Sequence, residues 1–133
     1  MNIITLFQPP CIVFGNGCAP QCVEFLAQHD CHKVLLVVSA SAMPSLGEVI
    51  DALKRSRLAV VTAPTIDREP TISDFKSICQ FAVREKVDGV LGIGGGSVID
   101  VAKLVAALAN EDQAVTDVFG INLLNGRKLP LVC

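Results

Sequence analysis

Four short runs of β-branched and aliphatic residues, at 12–14, 34–38, 58–62 and 87–93, alternate with stretches whose apolar residues recur at helical spacing. The runs lack polar alternation, the pattern of strands buried on both faces. Strands of that kind, separated by helix-length connections, are joined by right-handed crossovers. The alternation therefore predicts an α/β fold, a parallel sheet with helices on both faces. With 51% hydrophobic and 18% charged residues, a chain of 133 residues has material for one core, which excludes disorder, collagen and coiled coil. No repeat or linker divides it, so residues 1–133 are read as one domain.

Helix starts are marked repeatedly. Pro20 suits the first turn of a helix carrying Cys22, Phe25 and Leu26. Three S/T-x-x-D/E pairs, Ser45/Glu48, Thr71/Asp74 and Ser97/Asp100, each stand ahead of an apolar helical stripe and are expected to form capping boxes. The last helix, about 97–110, is apolar on nearly every side except at Asp100 and Lys103, so it is expected between layers. Lys128 to Cys133 looks like the opening of another core strand. A sheet cut there is expected to leave one side of that helix uncovered, and the chain prone to association.

Several function classes are excluded on composition. Eleven basic against thirteen acidic residues, with no block of like charge, leave no nucleic-acid footprint. With no Trp or Tyr there is no stacking platform for single strands. The first 23 residues carry no charged side chain, but their three prolines and two glycines rule out a spanning helix, and they lack a signal peptide's basic start. No membrane partner is expected, and a cytoplasmic location is. The six cysteines form no C-x-x-C pair and read as small hydrophobes in a reducing compartment. His29-Asp30-Cys31-His32 reads as a polar helix end rather than a metal site.

The concentrated signal is Gly92-Ile93-Gly94-Gly95-Gly96-Ser97-Val98-Ile99-Asp100, which follows a strand and opens a helix. Glycines there allow close backbone approach, and the helix start offers unpaired amides and the positive end of its dipole, a combination that binds phosphate. Neither G-x-x-x-x-G-K-[ST] nor G-x-G-x-x-G is satisfied, since Ser97 stands where the third glycine belongs. On general motifs the turn is either phosphate-binding or merely a tight structural corner.

Gly94-Gly95-Gly96-Ser97-x-x-Asp100-x-Ala102-Lys103 resembles the G-G-G-S-x-x-D-x-A-K signature of iron-containing (group III) alcohol dehydrogenases. Phe14-Gly15-Asn16-Gly17, Lys33 to Val37, Pro70-Thr71, Val87 to Val90 and Leu129 to Val132 are similar to that family's strands and turns in the same order. The resemblance implies the Rossmann-like, nucleotide-binding half of an NAD- or NADP-dependent enzyme that transfers hydride between a small alcohol or aldehyde and the nicotinamide. By position, Gly95, Gly96, Ser97, Val98 and Ile99 would contact the pyrophosphate, Gly94 would belong to the same cofactor site, and Asp100 with Lys103 would face the cleft or simply pair with each other. It also implies a helical C-terminal half that binds Fe²⁺ or Zn²⁺. Those ligands find no match here, so the chain alone is expected to carry no catalytic residue and to be inactive. A homodimer paired near residues 1–7 is expected.

Two positions depart from the pattern. Ser39 stands where many NAD-preferring members carry Asp, which removes a repulsion of a 2′-phosphate and favours NADP being accepted. Glu69 replaces the usual Asn before Pro70-Thr71. The competing reading is a non-catalytic nucleotide-binding or regulatory module that uses the same glycine turn.

Overall fold

A computed structural model describes residues 9–126 and 128–133. In chain order the elements are α1 (Gln21–Gln28), β1 (Lys33–Val38), α2 (Gly47–Arg55), β2 (Ala59–Thr62), α3 (Ile72–Glu85), β3 (Gly89–Ile93), α4 (Gly96–Leu108) and β4 (Leu131–Val132), with short 3₁₀ turns at Met43–Ser45 and Val115–Val118. The strands form one parallel sheet in the order β2-β1-β3-β4. Alternate residues of β1 feed two cores. Leu35 and Val37 join Phe75, Ile78 and Ala82 of α3 and the buried stripe of α4 on one face. Val34, Leu36 and Val38 join Val23 and Leu26 of α1 and Val49 and Leu53 of α2 on the other. A connection leading outward from β1 to β2 and others leading back across to β3 and β4 must lie on opposite faces if all cross with one hand, and they do. The expected parallel α/β architecture is therefore present.

The loop before β1 is fastened to the loop before β3. The Asp88 carboxylate accepts the His32 amide at 2.9 Å and the Lys33 amide at 2.8 Å, and Lys33 pairs with Glu85 at 2.8 Å. His29 and Asp30 end α1 in a turn, with Asp30 at φ 57°, as the polar helix-end reading required. Among the described residues no group of three or more His, Cys, Asp and Glu is placed to hold a metal ion. The cysteines are free thiols. Burial, then the charges of Asp88 and Asp30, push the Cys31 thiol up to about 11, and burial also raises Cys22, Cys79 and Cys133, so none of these four is an activated thiolate.

Four expectations need correction. Residues 12–14 form no strand, and Ile12, Val13 and Phe14 are 72%, 53% and 99% exposed. Three residues offer few ladder bonds, and prolines at 9 and 10 with Gly15 bracket the run, so no described sheet edge captures it. Second, α4 is not left uncovered: Val98, Val101, Ala102, Val105, Ala106, Ala107 and Leu108 are all buried within the chain, against α3, the sheet and Val115. Third, Ser45 caps nothing, because Pro44 sets a 3₁₀ turn through it and α2 begins two residues later at Gly47, with Leu46 as its N-cap. Fourth, Ser97 is not the cap of α4, whose N-cap is Gly95 in extended conformation. The pairing expected near residues 1–7 lies outside the described residues.

The Thr71/Asp74 box does form. Thr71 Oγ1 accepts the Asp74 amide at 3.2 Å, and Asp74 accepts the Thr71 amide at 2.8 Å. The Thr71 amide, then its hydroxyl and the Arg68 guanidinium hold the Asp74 carboxyl down from 3.8 to about 2. A depressed native pKa contributes stability that is present above the unfolded value and is lost as pH falls through the folded one. An NMR titration of Asp74 should therefore show a midpoint near 2, with the Thr71 amide moving in the same window, between about 4 and 2. A midpoint near 4 would contradict the box.

Candidate functional site

An open cleft of about 640 Å³ lies at the C-terminal ends of β1 and β3. This is the switch point of the sheet, where the connection from β1 leaves toward one edge and the connection from β3 toward the other. Helices then diverge and leave a crevice in which ligands of open α/β sheets bind. Three stretches line it. Ser39, Ala40 and Ser41 follow β1; Gly95, Gly96, Ser97 and Val98 open α4; residues 66–69 follow β2.

The glycine corner divides into two kinds of position. A Cβ on Gly92 would lie 2.8 Å from the Ala102 Cβ, and one on Gly94 would lie 2.7 Å from a methyl of Val98. Those two glycines let α4 sit close on β3. A Cβ on Gly95 or Gly96 meets nothing within 4 Å, so the bare backbone there faces open cleft. None of the four adopts a positive φ; their absent side chains serve close approach alone.

The helix start then presents donors. The Val98 and Ile99 amides both turn back onto the Gly95 carbonyl, at 3.0 and 3.1 Å. Gly96 and Ser97 precede them at the first turn, and their amides have no partner among the described residues. Since Ser97 is not spent as a cap, its hydroxyl is available as well. Bare amides, a hydroxyl and the positive end of a 13-residue helix form a site for a phosphate group. With no Cβ on Gly95 or Gly96, a bulky diphosphate has room to approach that backbone closely.

Of the residues singled out from sequence, the fold brings Ser39, Gly95, Gly96, Ser97 and Val98 to one cleft. Gly94, Ile99 and Asp100 fall outside its lining. Asp100 pairs with Lys103 at 3.6 Å on an exposed part of α4, the simple i,i+3 pair. Sequence reasoning missed Ala40, Ser41, Ile66, Asp67 and Arg68. After β2 the chain keeps running beside β1, with the Ala63 amide on Leu36 and the Ile66 amide on Val38, which carries 66–69 to the cleft. Only the charged run just before the Thr71 cap hinted at a placed loop.

The profile of the family described as iron-containing alcohol dehydrogenase matches residues 9–133. The chain is 30% identical over 132 residues to long-chain-alcohol dehydrogenase 1 of Geobacillus thermodenitrificans, covering 97% of this chain and 33% of the relative. It is 32% identical over 118 residues to the NADPH-dependent aldehyde reductase of Escherichia coli, covering 86% and 30%. Among solved structures, the NADH-dependent butanol dehydrogenase A of Thermotoga maritima superposes with a TM-score of 0.84 at 32% identity, covering 98% of this chain and 34% of that one. The chain thus spans about a third of the length of the proteins it matches.

Proposed function

The chain belongs to the iron-containing alcohol dehydrogenase family, and from that membership we propose that residues 1–133 are the NAD(P)-binding unit of an enzyme that exchanges hydride between a small alcohol and its aldehyde. The observation that carries this reading is the pair Gly95 and Gly96, open to the cleft, with unpartnered amides following at the start of α4. Bound there, the nicotinamide nucleotide supplies the hydride acceptor or donor.

This chain's own part is to bind and orient. The Gly96 and Ser97 amides and the Ser97 hydroxyl donate to the diphosphate, and the α4 dipole favours its charge. Val98 and Ile66, both buried, form an apolar floor beside the phosphates. Ser39 and Ser41, whose hydroxyls lie 3.1 Å apart, stand at the adenosine end. Among the described residues no group of three or more His, Cys, Asp and Glu is placed to hold Fe²⁺ or Zn²⁺. The reading includes a homodimer acting in the cytoplasm, with no nucleic-acid or membrane partner. The near-neutral charge balance, with no basic block, supports the lack of a nucleic-acid partner, and no helix among the described residues is long and apolar enough to cross a membrane.

Calorimetric titration of the chain with NADH and NADPH tests the reading. Saturable binding of at least one nucleotide, displaced by ADP-ribose, is the expected result. No heat with either at millimolar concentration refutes it.

A further inference from the structure

The relatives name opposite cofactors, NADPH for the Escherichia coli reductase and NADH for the Thermotoga enzyme, at the same 32% identity. Discrimination must then be written in a few local residues. Resting on the nucleotide reading above, the geometry points to Asp67 as the residue that selects NADH over NADPH, in place of the acid missing at position 39.

Asp67 belongs to the loop after β2, yet one of its carboxylate oxygens accepts the Ala40 amide at 2.7 Å, while the other accepts the Thr65 hydroxyl at 2.9 Å. Its negative charge is thereby fixed between Ser39 and Ser41, at the end of β1. A carboxylate there accepts a hydrogen bond from a ribose 2′-hydroxyl and repels a 2′-phosphate. It also occupies the backbone amide of Ala40, a donor a 2′-phosphate would otherwise use.

Among the described residues, the one cation lining the cleft does not offset this. Arg68 is turned away to Asp74, with both terminal nitrogens on the carboxylate at 2.9 Å, and its charge is matched there. Glu69 adds a second acid to the same lip. The Ser39 position alone favoured NADP; the loop that folds over it reverses the sign. A surface-accessible acid facing a 2′-phosphate in physiological salt corresponds to on the order of tenfold in affinity.

The test measures dissociation constants of the full chain for NADH and NADPH. Wild type should bind NADH about tenfold more tightly. Asp67→Asn, which keeps an oxygen for the Ala40 amide, should bring the ratio close to one, mainly by tightening NADPH. Adding Ser39→Asp to that variant should restore rejection of NADPH. On the unaltered protein, ADP-ribose should compete with NADH better than its 2′-phosphorylated counterpart, a comparison that needs no variant. A wild type that binds both nucleotides equally, or an Asp67→Asn ratio unchanged within twofold, overturns the role of Asp67 and leaves the nucleotide site standing. Failure of wild type to bind either one overturns the site itself, and this inference with it.

Discussion

Gly95→Val abolishes nucleotide binding and leaves the thermal stability of the chain nearly unchanged. Gly95 sits at φ −81° and ψ −171°, extended backbone that valine adopts readily, and a Cβ there touches nothing. The folded state therefore loses no contact, and the unfolded chain loses some freedom, so the stability change stays within about 0.5 kcal/mol. The cleft pays instead. A branched side chain at the N-cap of α4 fills the space through which a diphosphate reaches the amides of Gly96 and Ser97. Two hydrogen bonds to a charged group, at roughly 1.5–3 kcal/mol each, correspond to a loss of at least about 100-fold. Calorimetry with NADH and a thermal melt on the same sample measure both halves. Binding retained within a few-fold would show that the nucleotide does not use this corner. Gly96→Ala, equally free of contacts but one residue into the helix, should give the same separation in milder form.

The three capping pairs show what was legible in the sequence and what was not. Thr71/Asp74 forms its box because nothing upstream competes, and Thr71 is free to take φ −93° and ψ 165°, the extended geometry a cap requires. The same letters at Ser45/Glu48 fail because Pro44 has already curled the chain into a 3₁₀ turn. At Ser97/Asp100 they fail because glycines start the helix earlier, and that failure is what frees the Ser97 hydroxyl for a ligand. Residue type proposes a cap, but the backbone before it decides. The sheet was readable because its strands are continuous apolar runs, and the two central ones, β1 and β3, are buried nearly end to end between two neighbours each. The run at 12–14 looked similar and has no such neighbours among the described residues. The glycine corner was visible as a motif, whereas Asp67 was not. Its place on the Ala40 amide depends on a chain 27 residues away running on past the end of its strand, which no local pattern records.

The same corner should respond in the opposite way one turn of chain earlier. Gly92→Ala destabilises the fold by about 1–3 kcal/mol, and Gly92→Val by more, because overpacking at a fully enclosed position cannot relax. Gly92 pairs with Val37 in the sheet register, and Ala102 of α4, itself 0% exposed, lies directly above it. A new Cβ would stand 2.8 Å from the Ala102 Cβ and 3.2 Å from the Cys133 sulfur. Relief requires α4 to lift off β3, which would open contacts along the core that Val101 and Val105 share with Val90. For a domain of this size each kcal/mol lowers the melting temperature by several degrees. Deleting the opposing methyl supplies the decisive control. Ala102→Gly alone costs about 1 kcal/mol of helix propensity, but combined with Gly92→Ala it removes the collision, so the double variant should be more stable than the sum of the two single losses. Strict additivity would mean that Gly92 is not what lets the helix sit close. A favourable coupling would mark Gly92 as the structural member of the glycine run and leave Gly95 and Gly96 as the ones kept bare for a ligand.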